Sequence, residues 1–281
     1  ACDFTICSRD SFFGEPELRF GAGIVTMNNC GHMGMLAYHS MIASENDMIG
    51  TTMAACSPRM VPTFSSVRAL GTNPISYSAP ADKLPDFVFD AAMTSVAGNK
   101  IVLASRLNVP LSKGWIADKK GNPIMEDIDI NELDSEDESQ NLESRYNKGY
   151  ISSSVDLLPF GGTREIGSHK GYSMAVVVDI LAGILNGTKT APTGEYRNQG
   201  HFVAAYDIDA FIDTQEFKEL MDKYLQSLLD LPSNSEGKDV VYAGYLESRE
   251  EEKRLKDGIP LHKEVVDWFK KISKELNTES L

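Results

Sequence analysis

The sequence predicts an α/β fold, with short strands and helices alternating along the chain. Three observations lead there. Runs of β-branched and aromatic residues lie between turn-forming residues at 49–54, 75–79 and 87–90. Apolar residues recur at helical spacing through Phe217, Leu220, Met221, Tyr224 and Leu228, and again through Val265, Trp268, Phe269, Ile272 and Leu276. No apolar run approaches the roughly 20 residues that span a bilayer, so the helical stripes read as packing faces of a globular domain.

In chain order, residues 1–20 show no period and are left unassigned, and one domain covers 21–281. A β-like run at 22–27 enters the stretch Asn28-Asn29-Cys30-Gly31-His32-Met33-Gly34, and a helix-like run at 35–46 leaves it. His32 therefore sits at a strand-to-helix turn between two glycines, where the backbone can bend sharply. An imidazole there suits proton transfer at neutral pH; the alternative is a turn histidine that bonds only to backbone. Gly21-Ala22-Gly23 precedes its strand instead of following it, so the Rossmann fingerprint fails. Asp90 ends an apolar strand, as a helix cap or as a ligand for ribose hydroxyls. Residues 97–108 read as a helix ended by Pro110. The run at 173–185 is nearly all apolar, with Asp179 its only charge, and reads as a buried helix. The stretch Gly167-Ser168-His169-Lys170-Gly171-Tyr172 leads into it, where free N–H groups and Lys170 could meet a phosphate. The alternative is a surface lysine, with His169 a cap or packing residue. Residues 201–207 and 240–243 read as further strands.

Lys and Arg total 27 against 41 Asp and Glu, a net charge of −14, which opposes nucleic acid and anionic membrane surfaces. Nine acids fall between Glu126 and Glu143 with no Lys or Arg among them, so about 126–148 reads as a solvated acidic insertion. The four cysteines, Cys2, Cys7, Cys30 and Cys56, form no C-x-x-C pair and fit reduced thiols in a cytoplasmic protein. Cys30, His32 and His39 match no common zinc spacing, so no metal site is expected. The start is neither a signal peptide nor a presequence, and without an initiator Met the chain reads as a fragment or a processed product.

Together these stretches resemble one family, the malate/L-lactate dehydrogenases that use NAD or NADP. The resemblance covers about 21–125 and 155–262. It rests on Asn29-Cys30-Gly31-His32-Met33-Gly34, Gly71-Thr72-Asn73-Pro74-Ile75, Asp90-Ala91-Ala92 with Thr94-Ser95, Pro110-Leu111 with Gly114-Trp115, and His169-Lys170-Gly171-Tyr172.

The resemblance implies a non-Rossmann fold with a mixed, largely antiparallel sheet, and a homodimer with its active sites in a cleft near the subunit interface. It implies hydride transfer between a nicotinamide cofactor and a small 2-hydroxy or 2-oxo acid, with His32 as the catalytic residue. Cofactor contacts are expected from Cys56, Ser57, Asp90, Ala91, Ala92, His169, Lys170, Gly171 and Gly244. Family members usually begin with a helical segment containing Ser-His-Gly, whose histidine is an acid/base, and this sequence has no such motif. A catalytically inactive paralogue and a cyclic imine reductase therefore stay open as alternatives. Phe64-Ser65 replaces a common Gly-Gly, and Ala243-Gly244-Tyr245 stands where Pro-Gly-Glu or Pro-Gly-Asp is usual.

Overall fold

The computed structural model describes residues 21–129, 155–190, 192 and 198–279. Its centre is a five-stranded sheet whose pairings are all antiparallel. The strands are β1 (Ala22–Cys30), β2 (Met48–Ala55), β3 (Ile75–Ala79), β4 (Phe87–Ala91) and β7 (Gln199–Asp207), in the order β1-β7-β2-β3-β4. A small second sheet pairs β5 (Ile116–Ala117) with β6 (Asp156–Leu157). The largely antiparallel sheet expected from the resemblance is present.

Alternation along the strands sorts the helices to opposite faces. On one face α1 (Leu36–Ser44) lies close to the sheet because the contact is made of small residues. Ser40 meets Gly50, where a side chain would run into the Ser40 carbonyl, and the Ser40 and Ser76 hydroxyls bond at 2.8 Å. Ala43 packs with Met48 and Ala205. On the other face α3 (Ser168–Val178) buries Ala175 and Val178 against Met53, Ile75, Phe202 and Ala204. Each such large apolar side chain, once fully buried, contributes about 1.5–3 kcal/mol. A second core forms under α2 (Gly98–Leu107), where Ile101 and Ala104 meet Leu111, Ile116 and Leu157.

Several sequence expectations are corrected. The helix expected at 173–185 begins five residues earlier, at Ser168, so Lys170 lies in its first turn. It then widens into a π-helical turn, Asp179–Gly183, and tightens into a 3-10 turn, Ile184–Asn186. It is not buried all round: Met174, Val177, Ile180 and Ile184 are exposed. Residues 240–243 form no strand. That segment gives the β4 edge only one backbone bond, Val88 N–H to the Ala243 carbonyl, and Tyr242 is held by its hydroxyl on the Pro85 carbonyl.

Helix α4 (Thr214–Leu229) is present, capped by the Asp213 carboxylate on the Glu216 N–H, but Leu225 is its one fully buried residue. Helix α5 (Tyr245–Asp257) was not foreseen, and α6 (Lys263–Leu276) leaves Trp268 exposed. Of the acidic insertion, only 126–129 lies within the described residues, and the unassigned start lies outside them.

Candidate functional site

The sheet register brings one end of five strands together. Cys30 at the end of β1 pairs with Gln199 at the start of β7, and Ala55 at the end of β2 pairs with Gly200. Ile75 opens β3 opposite Met53 and Ala91. The His32 turn, the Cys56-Ser57 loop and the Asp90-Ala91-Ala92 strand end therefore share that edge. The start of α3 joins them through Phe160, which donates its N–H to the Met93 carbonyl just past β4. Gly171 lies so close to Phe160 that a Cβ would fall 2.5 Å from its carbonyl oxygen.

The His32 turn is clamped from several sides. Asp90 accepts the Ala37 N–H at 2.8 Å, capping α1, so the helix-cap reading of Asp90 accounts for its Oδ2. His39 in α1 donates from Nε2 to the Met33 carbonyl at 3.0 Å; a carbonyl only accepts, so that nitrogen carries the proton. His201 in β7 lies on the same face. Burial, and then the neighbouring His39 and His32, push its pKa down to about 4, while a hydrogen bond with the Gly31 backbone works the other way. His32 is exposed, and its Nδ1 accepts the Gly34 N–H at 2.9 Å.

A second network ties the Cys56 loop to α3. Asn73 is fully buried in the left-handed region, with φ 41°. Its Oδ1 accepts the Cys56 N–H at 3.0 Å, and its Nδ2 donates to the Ala175 carbonyl and to Asp179 Oδ1, each at 2.9 Å. Burial raises Asp179 to about 6, with the Asn73 amide pulling the other way. Burial also pushes the Cys56 thiol up to about 11, so it stays protonated and is a poor nucleophile.

At the start of α3 two of the expected free amides are taken: Ser168 N–H bonds the Thr163 carbonyl and Lys170 N–H the Gly167 carbonyl, each at 2.8 Å. The exposed Lys170 side chain and the helix dipole make that end positive. Arg164 adds a second cation, donating to His169 Nδ1 at 3.1 Å. A cavity of about 490 Å³ opens beside this end, lined by Thr63, Ser65, Lys120, Arg164 and Ser168 among others. On its rim Phe64 takes φ 68°, the backbone shape a glycine would adopt.

The malate/L-lactate dehydrogenase family profile matches residues 17–270. The chain belongs to this family. It is 34% identical over 272 residues to the malate/(S)-sulfolactate dehydrogenase of Methanothermus fervidus, covering 94% of this chain and 70% of that protein. The malate dehydrogenase structure of Pyrococcus horikoshii OT3 superposes with a TM-score of 0.74 at 29% identity, over 93% of this chain and 67% of that one. That of Entamoeba histolytica gives 0.79 at 26%, over 92% and 70%.

Most of the residues expected at the site converge, and one does not. Gly244, with φ 95°, sits against Asp86 and Val88 at the far end of β4, where a Cβ would come within 2.9 Å of the Val88 nitrogen. It lies roughly three strand residues, or ~10 Å, from Ala91. His201, Asn73 and Asp179 were not picked out. Signals existed for two of them: a histidine inside an apolar strand, and one acid in an apolar helix. Among the described residues no group of three His, Cys, Asp or Glu side chains could hold a metal ion, and Cys30 is buried with its thiol on the Asn28 carbonyl.

Proposed function

We propose that this chain is an NAD- or NADP-dependent oxidoreductase of small 2-hydroxy and 2-oxo acids. The observation that carries the reading is the convergence of the His32 turn and the Lys170 helix start on one end of the sheet. The donor set fits a nicotinamide dinucleotide. Lys170 and the α3 dipole suit a phosphate, Ser57 and the backbone of Ala91 and Ala92 suit ribose or amide groups, and Gly31 and Gly34 have open space around them. When bound, the nicotinamide supplies or takes the hydride at the substrate carbon.

The chain's own residues do the rest. Lys170 holds negative charge, with His169 and Arg164 supporting that end. Asp90 fixes the entry to α1, and His32 meets the substrate oxygen. The family resemblance supports a homodimer in which a partner closes the cleft over the exposed His32. The cysteine pattern supports a cytoplasmic setting.

The test is a screen of 2-oxo acids and cyclic imines with NADH and NADPH. Oxo-acid reduction that His32→Ala abolishes is the expected result. Tight NADH binding without turnover on any substrate would favour the inactive paralogue, and turnover confined to imines would replace the substrate class.

A further inference from the structure

Phe64 is held in a conformation that packing within the chain does not require. Ser65 donates its N–H to the Pro62 carbonyl at 2.8 Å, closing a four-residue turn with Phe64 at its third position. There φ is 68°, a value that favours glycine in such a turn and strains a bulky side chain. The turn is braced from several sides. The Ser65 hydroxyl donates to the Val67 carbonyl at 2.8 Å and accepts the Val67 N–H at 3.1 Å. Gly121 passes so close that a side chain there would run into the Ser65 carbonyl. Thr63 ties the turn to the start of α3 through a 2.8 Å bond between its hydroxyl and that of Ser168. Yet the ring that this bracing presents is 87% exposed, so burial does not offset the strain.

The ring stands on the rim of the cavity of about 490 Å³, a volume within the range of small-molecule clefts. Among the charged residues of its lining, Lys120 and Arg164 outnumber Glu165. Lys170 leans the same way. Its stem lies over Gly167, with Cδ 3.6 Å and Cε 3.9 Å from where a Cβ would stand, so the ammonium is carried back toward the turn before the helix. Leu158 and Pro159 in the cavity wall accept bonds from the Ser95 N–H and hydroxyl, three residues past Ala92. A flat ring, a net positive wall and a nearby lysine suit a heteroaromatic base joined to phosphate. We infer that this cavity binds the adenosine end of the dinucleotide, with the Phe64 ring stacked on the adenine. The inference rests on the oxidoreductase reading above. Stacking uses the π face of a base and needs an exposed ring that is held still, which the strained and braced turn supplies.

Nucleotide binding to the full chain tests this without turnover. The tighter of NADH and NADPH is titrated by its fluorescence and then displaced with ADP-ribose (the 2′-phosphorylated form for NADPH), which carries the adenosine and no nicotinamide. Phe64→Gly should raise the Kd of both ligands by the same factor, roughly 5- to 100-fold. Its thermal midpoint should not fall, because glycine suits the turn. Phe64→Tyr keeps a flat ring and should stay within about threefold of wild type. ADP-ribose that fails to displace the cofactor from wild type overturns the inference and leaves the oxidoreductase reading standing. So does an unchanged cofactor Kd in Phe64→Gly, or a loss for the cofactor with none for ADP-ribose. A Phe64→Gly loss that comes with a change in molar mass by light scattering also overturns it, marking the ring as a subunit contact. Wild-type chain that binds neither NADH nor NADPH overturns both readings.

Discussion

Replacing Asn73 by alanine should be among the most damaging single changes in the chain. The side chain is fully buried and makes three hydrogen bonds, to the Cys56 N–H, the Ala175 carbonyl and the Asp179 carboxylate. The losses are unequal. Ala175 still receives its helical bond from the Asp179 N–H, so that carbonyl is not stranded. The Cys56 amide loses its acceptor, a cost of about 1–3 kcal/mol, and the bond to a charged carboxylate is worth about 1.5–3. Alanine at φ 41° adds about 1 kcal/mol of backbone strain. The expected destabilisation is about 4–6 kcal/mol, near half the stability of an ordinary domain. Urea unfolding tracked by circular dichroism should show a lower midpoint at an unchanged slope. A loss below about 1 kcal/mol would refute the idea that this asparagine bolts the β2 loop to α3.

Asp179 makes a pH-dependent partner to that test. Its folded pKa, about 6, lies above the ordinary carboxyl value of 3.8. The folded state therefore binds the proton more tightly, and its stabilising contribution is present at low pH and lost as pH rises through about 6. Asp179→Asn should flatten the stability-against-pH curve between about pH 4 and 7 while leaving the Asn73 bond an oxygen to reach; an unchanged slope would count against it. Gly171→Ala should cost about 1–3 kcal/mol by overpacking, because its neighbour is the rigid Phe160 backbone, and it should loosen NADH binding measured by fluorescence; wild-type stability would show that the α3 start can shift freely. Lys170→Ala should raise the cofactor Kd about tenfold, the loss of one charge-assisted contact, with Lys170→Arg recovering most of it. Equal affinities would remove Lys170 from the site.

The central strands were legible because Thr51, Ile75 and Val88 lie in short β-prone runs bounded by turn residues. Helix α5 was not, because its Glu and Lys residues carry no apolar stripe; it is held by good helix formers and pairs such as Glu250–Arg254 at 2.8 Å. The 240–243 segment misled because an apolar pair beside an edge strand looks like a strand until its backbone bonds are traced. At the site, His32 stood out through its flanking glycines. Asn73 hid inside a turn motif, where asparagine usually serves the local backbone, and its reach into the core depends on contacts over 100 residues away. The bond from the Gly34 N–H to His32 Nδ1 was beyond sequence, since it depends on one dihedral angle at Gly34.

Helix α3 begins beside Lys170 and, through its π and 3-10 turns, ends at Asn186. That side chain donates to Thr26 Oγ1 and the Met27 carbonyl, and its backbone carbonyl accepts from the Asn28 amide. The Lys170 turn and the last residues of β1 are thus joined along that edge of the sheet by a single rod, roughly 28 Å long at 1.5 Å per residue. Inserting or deleting one residue anywhere in 168–186 would rotate the remainder of the rod by about 100° and detach one end from the other. Point substitutions on the exposed stripe should be tolerated in a lineage where length changes are purged. The spacing between Lys170 and Asn186 is therefore a heritable dimension of the site, as much a part of its chemistry as any side chain.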